Sequence, residues 1–253
     1  MVYFVGAGPG DKELITIKGQ KILAEADCII YAGSLVNPEL LEYAKNTCVL
    51  RDSASMTLEE VIDIILENEK NGLMTARLHT GDPAIYGAIK EQIDLLEEKG
   101  IVFKVIPGVS SFSGAAAAMG VEYTLPGVSQ TVILTRMEGR TPVPEKERIT
   151  ELAKIQASMA IFLSSGMLTE LSEKLIEGGY PKETPAAIVY KATWPDEKIV
   201  LTTLEDLPEA GAKNDISRTA LILVGNFLGG EYERSLLYHP EFTHGYRQGS
   251  NAV

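Results

Sequence analysis

The residues that could do chemistry are concentrated at positions 79–87, which read HTGDPAIYG. Gly81 allows backbone to approach a ligand closely, and Asp82 supplies a carboxylate beside it. Pro83 fixes the following turn, and a helical pattern begins at about residue 88. The alternative is an ordinary strand-to-helix turn in which Asp82 only caps the helix. On these residues alone, the two interpretations are equally favoured.

The neighbouring elements indicate where this segment lies. An apolar run at residues 73–78 precedes it, so it follows the carboxyl end of a strand, where open parallel sheets bind their ligands. Strand-like runs alternate with helical patterns through residues 2–118. Thr57, with Glu60 three residues later, has the pattern of a capping box and predicts the start of a helix that runs to about residue 70. This alternation predicts a mostly parallel sheet with helices on both faces.

The pattern breaks at residues 120–129, where Gly120, Pro126 and Gly127 interrupt it, and strands resume at residue 131. A helix is predicted at about residues 145–156. A turn after Trp194 separates two strand-like runs and indicates antiparallel pairing. We therefore predict an α/β protein with two α/β domains. An N-terminal domain (1–120) has the mostly parallel sheet, a C-terminal domain (129–228) has a mixed sheet, and a polar and aromatic tail (229–253) follows.

Composition excludes several classes of function. The net charge of −12 over 253 residues disfavours nucleic acid and anionic membranes as partners. No apolar run reaches the ~18 residues that span a bilayer, and the N-terminus resembles a first strand more than a signal peptide. Cys28 and Cys48 have no metal-ligand spacing with the three histidines. They are predicted to be free thiols in a reducing compartment, hence the cytoplasm.

A glycine-rich loop, Gly6-x-Gly8-x-Gly10, follows the first strand and suggests a dinucleotide site. The dinucleotide fingerprint places its third glycine one position later and has an acidic residue after the second strand to hold a ribose. Here Ala32 follows Tyr31. We therefore interpret the loop as a tight turn near a ligand, and an NAD-type oxidoreductase remains a disfavoured alternative.

The ordered set of motifs resembles the tetrapyrrole (corrin and porphyrin) methylase family. The matching segments are VGAGPGD at 5–11, GDP at 81–83, PGVSS at 107–111, FL at 162–163, KAT at 191–193 and ALILVG at 220–225. They occur in the family's order and cover about residues 1–228. The resemblance implies two α/β domains with a cleft between them, usually as a homodimer, and S-adenosylmethionine bound in that cleft.

Three segments are most similar to the precorrin-4 carbon-11 methyltransferases of cobalamin synthesis: 79–87, 135–144 and 190–200. The implied reaction methylates carbon 11 of precorrin-4 or cobalt-precorrin-4 and leaves S-adenosylhomocysteine. The uroporphyrinogen methylases have an aspartate at the position of Ala32, so that reaction is disfavoured. Another precorrin methyltransferase, acting at a different carbon, and a non-catalytic binding protein remain alternatives.

The resemblance also implies the cofactor contacts, and the positions of other residues along the chain suggest the remaining site residues. The cofactor contacts are Pro9, Thr80, Gly81, Asp82, Ile85, Ser110, Ser111, Leu163, Ala192 and Ala220, of which Leu163 and Ala220 could equally be plain core. Candidates for proton transfer are His79, Asp82 and Tyr86, although His79 is expected to form a structural hydrogen bond. Candidates for binding the acidic tetrapyrrole are Arg51, Arg136, Arg140 and Lys191. The reaction needs no protein-bound metal, because a sulfonium is already a good electrophile.

Overall fold

The computed structural model describes residues 1–250, apart from the side chain of residue 34. It comprises two compact units. The first contains Met1–Ala118 and Lys191–Glu197, and the second contains Met119–Tyr190 and the chain from Lys198 onward. The first unit is therefore built from two separate stretches of sequence.

The first unit is built on a five-stranded parallel sheet with the order β3-β2-β4-β1-β5. Its strands are β1 (Val2–Gly6), β2 (Cys28–Tyr31), β3 (Val49–Asp52), β4 (Thr75–His79) and β5 (Phe103–Ile106). Its helices are α1 (Ile17–Glu25), α2 (Leu58–Lys70), α3 (Lys90–Glu98) and α4 (Ser111–Met119). The predicted parallel sheet is confirmed.

Both faces of this sheet are buried at its central strands β1, β2 and β4. Successive strand residues point to opposite faces, and Phe4 and Val5 are both fully buried. Phe4 belongs to the cluster with Ile65 of α2 and Leu96 of α3. Val5 belongs to the cluster with Leu23 of α1. Burial on two faces explains why these strands read as continuous apolar runs.

The first turn of α2 carries a complete capping box. The Thr57 hydroxyl accepts from the Glu60 N–H at 3.3 Å, and the Glu60 carboxylate accepts from the Thr57 N–H at 2.7 Å. This confirms the predicted start of the helix, because the two side chains satisfy otherwise unpaired N–H groups. With 13 residues, α2 is the longest helix of the described chain. None of the helices within residues 1–250 has the length and apolar character needed to cross a membrane.

The start of α3 differs from the prediction. The helical pattern begins at about residue 88, whereas the helix begins at Lys90. Tyr86 and Ala88 have φ values of 56° and 48°, in the left-handed region. Left-handed residues cannot join a right-handed helix, so residues 82–89 form a loop instead.

The second unit contains a five-stranded mixed sheet with the order β6-β7-β10-β8-β9. Its strands are β6 (Val132–Arg136), β7 (Ser158–Phe162), β8 (Pro185–Tyr190), β9 (Lys198–Thr203) and β10 (Ala220–Val224). The pair β6–β7 is parallel, and the other three pairs are antiparallel. The predicted antiparallel pairing across the turn at Trp194 is confirmed.

The helices of the second unit are α5 (Ile149–Ala153), α6 (Leu168–Glu177) and α7 (Leu207–Lys213). α5 is shorter than the predicted helix at residues 145–156, because Glu145–Glu147 forms a separate 3-10 turn. α7 was not predicted. Its core side chain, Leu207, is fully buried with Ile188 of β8 and Leu171 of α6.

Candidate functional site

Three glycines meet at the carboxyl ends of β1, β4 and β5. A Cβ atom on Gly6 would lie 2.5 Å from the Gly108 Cα atom and 2.8 Å from the Gly81 carbonyl oxygen. A Cβ atom on Gly108 would lie 2.1 Å from the same oxygen. These distances are too short for any side chain, so backbone packs directly on backbone. The loops that follow these three strands are therefore held in direct backbone contact.

The loops after β1 and β4 are joined by backbone hydrogen bonds beyond the ends of their strands. Gly8 and Gly81 exchange N–H to carbonyl bonds of 3.2 and 2.9 Å. The Ala7 N–H donates to the His79 carbonyl at 2.7 Å. Both glycines have left-handed φ values, 81° and 61°, which other residues adopt at a cost. The bridge fixes Thr80, which is exposed beside it.

Asp82 connects the β4 loop to the β5 loop. One carboxylate oxygen accepts from the Ala84 N–H at 2.8 Å, and the other accepts from the Gly108 N–H at 2.8 Å. Asp82 thus caps a local turn, as the plainer interpretation required, but it does not cap α3. Its second bond crosses between two strands, which ordinary turn capping does not need. Nearby, Ile85 is half-buried and Tyr86 is 46% exposed.

The loop after β5 leads directly into α4. The Ser110 carbonyl accepts from the N–H groups of Ser113 and Gly114 at 3.0 and 3.1 Å, which begins the helix. Ser110 is buried, and Ser111 is half-buried at the first helical position. A Cβ atom on Gly114 would lie 2.8 Å from the Pro9 ring, so α4 packs against the β1 loop.

Sequence reasoning missed the side chains that hold the β1 loop. The Pro9 carbonyl accepts from the Trp194 indole N–H at 3.0 Å, and the Asp11 N–H donates to the Thr193 hydroxyl at 3.0 Å. The buried Asn37 amide donates to the Gly10 carbonyl at 2.9 Å. The glycine at position 10 was the available signal, since a glycine that serves no turn can mark a close approach by an aromatic ring.

His79, at the end of β4, is buried, with only 4% of its surface exposed. The centre of its ring lies 5.9 Å from the centre of the Phe4 ring. Burial and the adjacent Arg77 cation lower the pKa of His79 to about 3. Its Nε2 atom has no hydrogen-bond partner within the described residues. The expected structural hydrogen bond is therefore missing at this nitrogen, and the imidazole is neutral at physiological pH.

Arg77 lies two residues before His79 on the same face of the sheet. Its guanidinium donates to the Gln92 side-chain oxygen at 3.3 Å and to the Ile30 carbonyl at 3.2 Å. Burial lowers the pKa of Arg77 to about 10, so it stays charged at neutral pH. This fixed positive charge disfavours a second cation at His79.

The buried neutral imidazole predicts an acid-sensitive stability. Between about pH 6.5 and pH 3 the unfolded chain binds a proton at His79 that the folded chain does not, so stability falls as pH falls. The expected loss is about 1.4 kcal/mol per pH unit in that window. Urea unfolding at a series of pH values measures it, with His79→Gln as the non-titrating control. An equal slope in both proteins would contradict a neutral His79.

The remaining cofactor candidates lie at strand ends or beside them. Leu163 follows β7, is 69% exposed and has a left-handed φ of 53°, so it is not plain core. Ala220 opens β10 opposite Tyr190 and is half-buried at the edge of the core of the second unit. Ala192, in the connection between β8 and β9, is buried.

The basic candidates fall into two groups. Arg51, in β3, and Arg140, in the loop after β6, are exposed. Arg136 holds its own loop by donating to the carbonyls of Met137, Thr141 and Pro142 at 3.3, 3.2 and 2.7 Å. The ammonium group of Lys191 pairs with Asp196 at 2.6 Å and lies 5.1 Å from the centre of the Trp194 ring. Arg51 and Arg140 are therefore the more accessible cations.

The cysteines and acidic residues give no sign of a metal centre in the part of the chain that the structure describes. Across residues 1–250, no group of three or more His, Cys, Asp or Glu side chains is arranged to hold an ion. Cys28 is a buried free thiol, and Cys48 is a half-buried one. Burial raises the pKa of both thiols, which keeps them protonated and unreactive at neutral pH.

Comparison with known proteins gives a consistent set of matches. The family model "Tetrapyrrole (Corrin/Porphyrin) Methylases" matches residues 1–208. A cobalt-precorrin-4 C(11)-methyltransferase from Methanocaldococcus jannaschii is 57% identical over 248 residues, which span 98% of this chain and 96% of that protein.

Solved structures agree with that match. An X-ray structure of cobalt precorrin-4 methyltransferase, a cobalamin biosynthetic enzyme, superposes with a TM-score of 0.89 at 48% identity, covering 90% of this chain and 96% of that one. The uroporphyrin-III C-methyltransferase of Thermus thermophilus, solved with S-adenosylhomocysteine, has a TM-score of 0.74 at 26% identity, covering 90% and 92% of the two chains.

Proposed function

The chain belongs to the tetrapyrrole (corrin/porphyrin) methylase family, and from this premise we propose that it methylates carbon 11 of cobalt-precorrin-4 or precorrin-4. The observation that carries the proposal is 57% identity over 98% of the chain to a cobalt-precorrin-4 C(11)-methyltransferase. That match and the solved cobalt precorrin-4 methyltransferase favour the cobalt-containing substrate. None of these relatives supports an NAD-type oxidoreductase. The uroporphyrin-III C-methyltransferase, which is named for a different tetrapyrrole, is less similar to this chain at 26% identity, so methylation at another carbon is the weaker alternative.

The methyl donor of the proposed reaction is S-adenosylmethionine, which supplies an electrophilic methyl group on its sulfonium. Gly6, Gly81 and Gly108 let the loops after β1, β4 and β5 pack directly against one another, which supports a donor site built from these loops. We assign the donor to two sets of residues. Those of the first unit are Pro9, Thr80, Gly81, Asp82, Ile85, Ser110, Ser111 and Ala192, and those of the second unit are Leu163 and Ala220.

The chain's own residues serve mainly to position the reactants. Orientation of two reacting groups supplies about 7–11 kcal/mol, enough for most of the acceleration of a transfer from a reactive sulfonium. Both Asp82 oxygens accept hydrogen bonds from backbone N–H groups, so we assign Asp82 chiefly to holding the loops. Because the pKa of His79 is about 3, its Nε2 atom is a weak base at neutral pH. Tyr86 is left as the most exposed candidate for proton transfer.

The proposed substrate carries several carboxylates. Arginine guanidinium groups bind carboxylates through paired hydrogen bonds, and lysine contributes a point charge. We assign these contacts to Arg51, Arg136, Arg140 and Lys191, with the exposed Arg51 and Arg140 as the strongest binders.

A methyl-transfer assay tests the function directly. Labelled S-adenosylmethionine is offered with precorrin-4, with and without cobalt, and the methylated carbon is located by NMR. We expect label at carbon 11 and faster turnover of the cobalt form. Label at a different carbon would retain the family and overturn the carbon-11 proposal. Binding of S-adenosylhomocysteine with no transfer to either tetrapyrrole would overturn the proposed substrate.

Three further properties are part of the proposal. The functional domains are residues 1–120 and 129–228, of which Lys191–Glu197 packs with the first unit, followed by the tail at 229–253. The chain forms a homodimer, as its family resemblance implies, which light scattering of the purified protein measures. It works in the cytoplasm, in keeping with the two free cysteines.

A further inference from the structure

The loop after β1 is held at consecutive peptide groups by partners from outside it. Gly8 is paired with Gly81, the Pro9 carbonyl accepts from Trp194, and the Gly10 carbonyl accepts from Asn37. Next along the chain, the Asp11 N–H donates to the hydroxyl of Thr193. Backbone groups buried without partners are costly, so these contacts define a single conformation of the loop. Two of the four come from the connection between β8 and β9.

Trp194 fits this loop in shape as well as in hydrogen bonding. A Cβ atom on Gly10 would lie 2.1 Å from Cδ1 of the Trp194 indole and 2.5 Å from its nitrogen. The indole therefore lies flush on the Gly10 backbone, in space that any other residue at position 10 would fill. The methyl group of Thr193 would lie 3.4 Å from a Cβ atom on Gly114, the position in α4 that also faces Pro9.

The connection Lys191–Glu197 is itself rigidly built. The Trp194 N–H donates to the Lys191 carbonyl at 3.0 Å, and the Glu197 N–H donates to the Trp194 carbonyl at 3.1 Å. The Thr193 N–H donates to the Glu197 carboxylate at 2.6 Å, and the Lys191 ammonium lies over the indole. Lys191 and Thr193 adopt left-handed φ values of 46° and 69°. Non-glycine residues adopt this conformation where the surroundings impose it, typically at functional sites.

We propose that Trp194 and Thr193 are positioning residues for the methyl donor, acting through the loop Gly8–Asp11. This inference rests on the proposed function, which puts S-adenosylmethionine against Pro9. The two side chains do not contact the reacting atoms. They fix the Pro9 and Asp11 peptide groups, so their loss weakens donor binding and leaves the chemical step intact once the donor is bound.

Two substitutions separate this role from a purely structural one. Trp194→Phe removes the indole N–H, and Thr193→Val removes the hydroxyl while keeping the branched shape. We expect KM for S-adenosylmethionine to rise about tenfold in Trp194→Phe and about fivefold in Thr193→Val, with kcat at saturating donor within twofold of the wild type. Thr193→Ser, which restores the acceptor, should return KM to near the wild-type value. A role in folding alone would lower the amount of active enzyme, and hence kcat, without moving KM.

Direct binding completes the test, because Trp194 is the one tryptophan of the chain. Titration of the wild type with S-adenosylhomocysteine should change its tryptophan emission, and calorimetry of the same titration should show weaker binding by Thr193→Val than by Thr193→Ser. Wild-type affinity in both Thr193→Val and Trp194→Phe would overturn the positioning role alone. Absence of binding by the wild type would overturn this role together with the proposed function. If Trp194→Phe does not fold, the comparison of S-adenosylhomocysteine affinity between Thr193→Val and Thr193→Ser decides the outcome.

Discussion

Gly108→Ala should destabilise the first unit by about 3 kcal/mol or more, at the upper end of what added methyl groups cost in a packed interior. The new Cβ atom would lie 2.1 Å from the Gly81 carbonyl oxygen and 2.8 Å from the Gly6 Cα atom. Both are backbone atoms, which cannot rotate away as a flexible side chain can. Relief therefore requires β1, β4 or β5 to shift at the edge where they meet. Unfolding in urea, followed by circular dichroism, measures the loss.

Gly100→Ala provides the matched control for this experiment. Gly100 lies in the turn after α3, and a Cβ atom there would meet no atom within 4 Å. Its φ of 68° is left-handed, so alanine at this position costs about 1–2 kcal/mol through backbone strain alone. If Gly108→Ala were no more costly than Gly100→Ala, the close packing of three backbones would not constrain this edge of the sheet.

Asp82→Ala should weaken binding of S-adenosylhomocysteine by about 10- to 100-fold, since hydrogen bonds to a charged group contribute about 1.5–3 kcal/mol each. The substitution removes the bond to the Ala84 N–H and the bond to the Gly108 N–H. The second bond ties the β4 loop to the β5 loop, and the proposed donor contacts both loops. Asp82→Asn retains one acceptor oxygen and should show an intermediate affinity. Isothermal titration calorimetry measures all three proteins.

Asp52→Ala serves as the control for the loss of the local turn. The Asp52 carboxylate accepts from the Ala54 N–H at 2.8 Å, the same arrangement that Asp82 has with Ala84. Asp52 has no counterpart of the bond to Gly108 among its hydrogen bonds in residues 1–250. We expect Asp52→Ala to lower stability slightly and leave donor affinity unchanged. Equal affinities for Asp82→Ala and Asp52→Ala would reduce Asp82 to an ordinary turn residue.

Local sequence patterns predicted the elements well where local forces determine them. Thr57 and Glu60 predicted the start of α2, because a capping box acts over four consecutive residues. The alternation of apolar strands and helices predicted the parallel sheet of the first unit, since burial on both faces leaves a continuous apolar run. The turn at Trp194 likewise predicted the antiparallel pair β8–β9.

Features set by contacts distant in sequence were not predictable in the same way. The left-handed backbone at Tyr86 and Ala88 moves the start of α3 to Lys90, although the sequence pattern predicts a start at about residue 88. The bond from Asp82 to the Gly108 N–H spans 26 residues, and the bond from Trp194 to the Pro9 carbonyl spans 185. A glycine, such as Gly10 or Gly108, can mark a position where another group packs closely against the backbone, but it does not identify that group. The motif resemblance indicated Pro9, Asp82 and Ser110 as site residues, and their roles in binding remain predictions.

The discontinuity of the first unit has a consequence for how the enzyme matures during synthesis. All five of its strands are synthesised well before Thr193 and Trp194, which lie roughly 75 residues beyond α4. At translation rates of about 5–20 residues per second, the nascent sheet waits on the order of ten seconds for these partners. During that interval the Pro9 carbonyl and the Asp11 N–H lack their hydrogen-bond partners, Trp194 and Thr193. The proposed positioning role therefore predicts that the nascent chain acquires its full affinity for the methyl donor late, after just over half of the second unit has been synthesised.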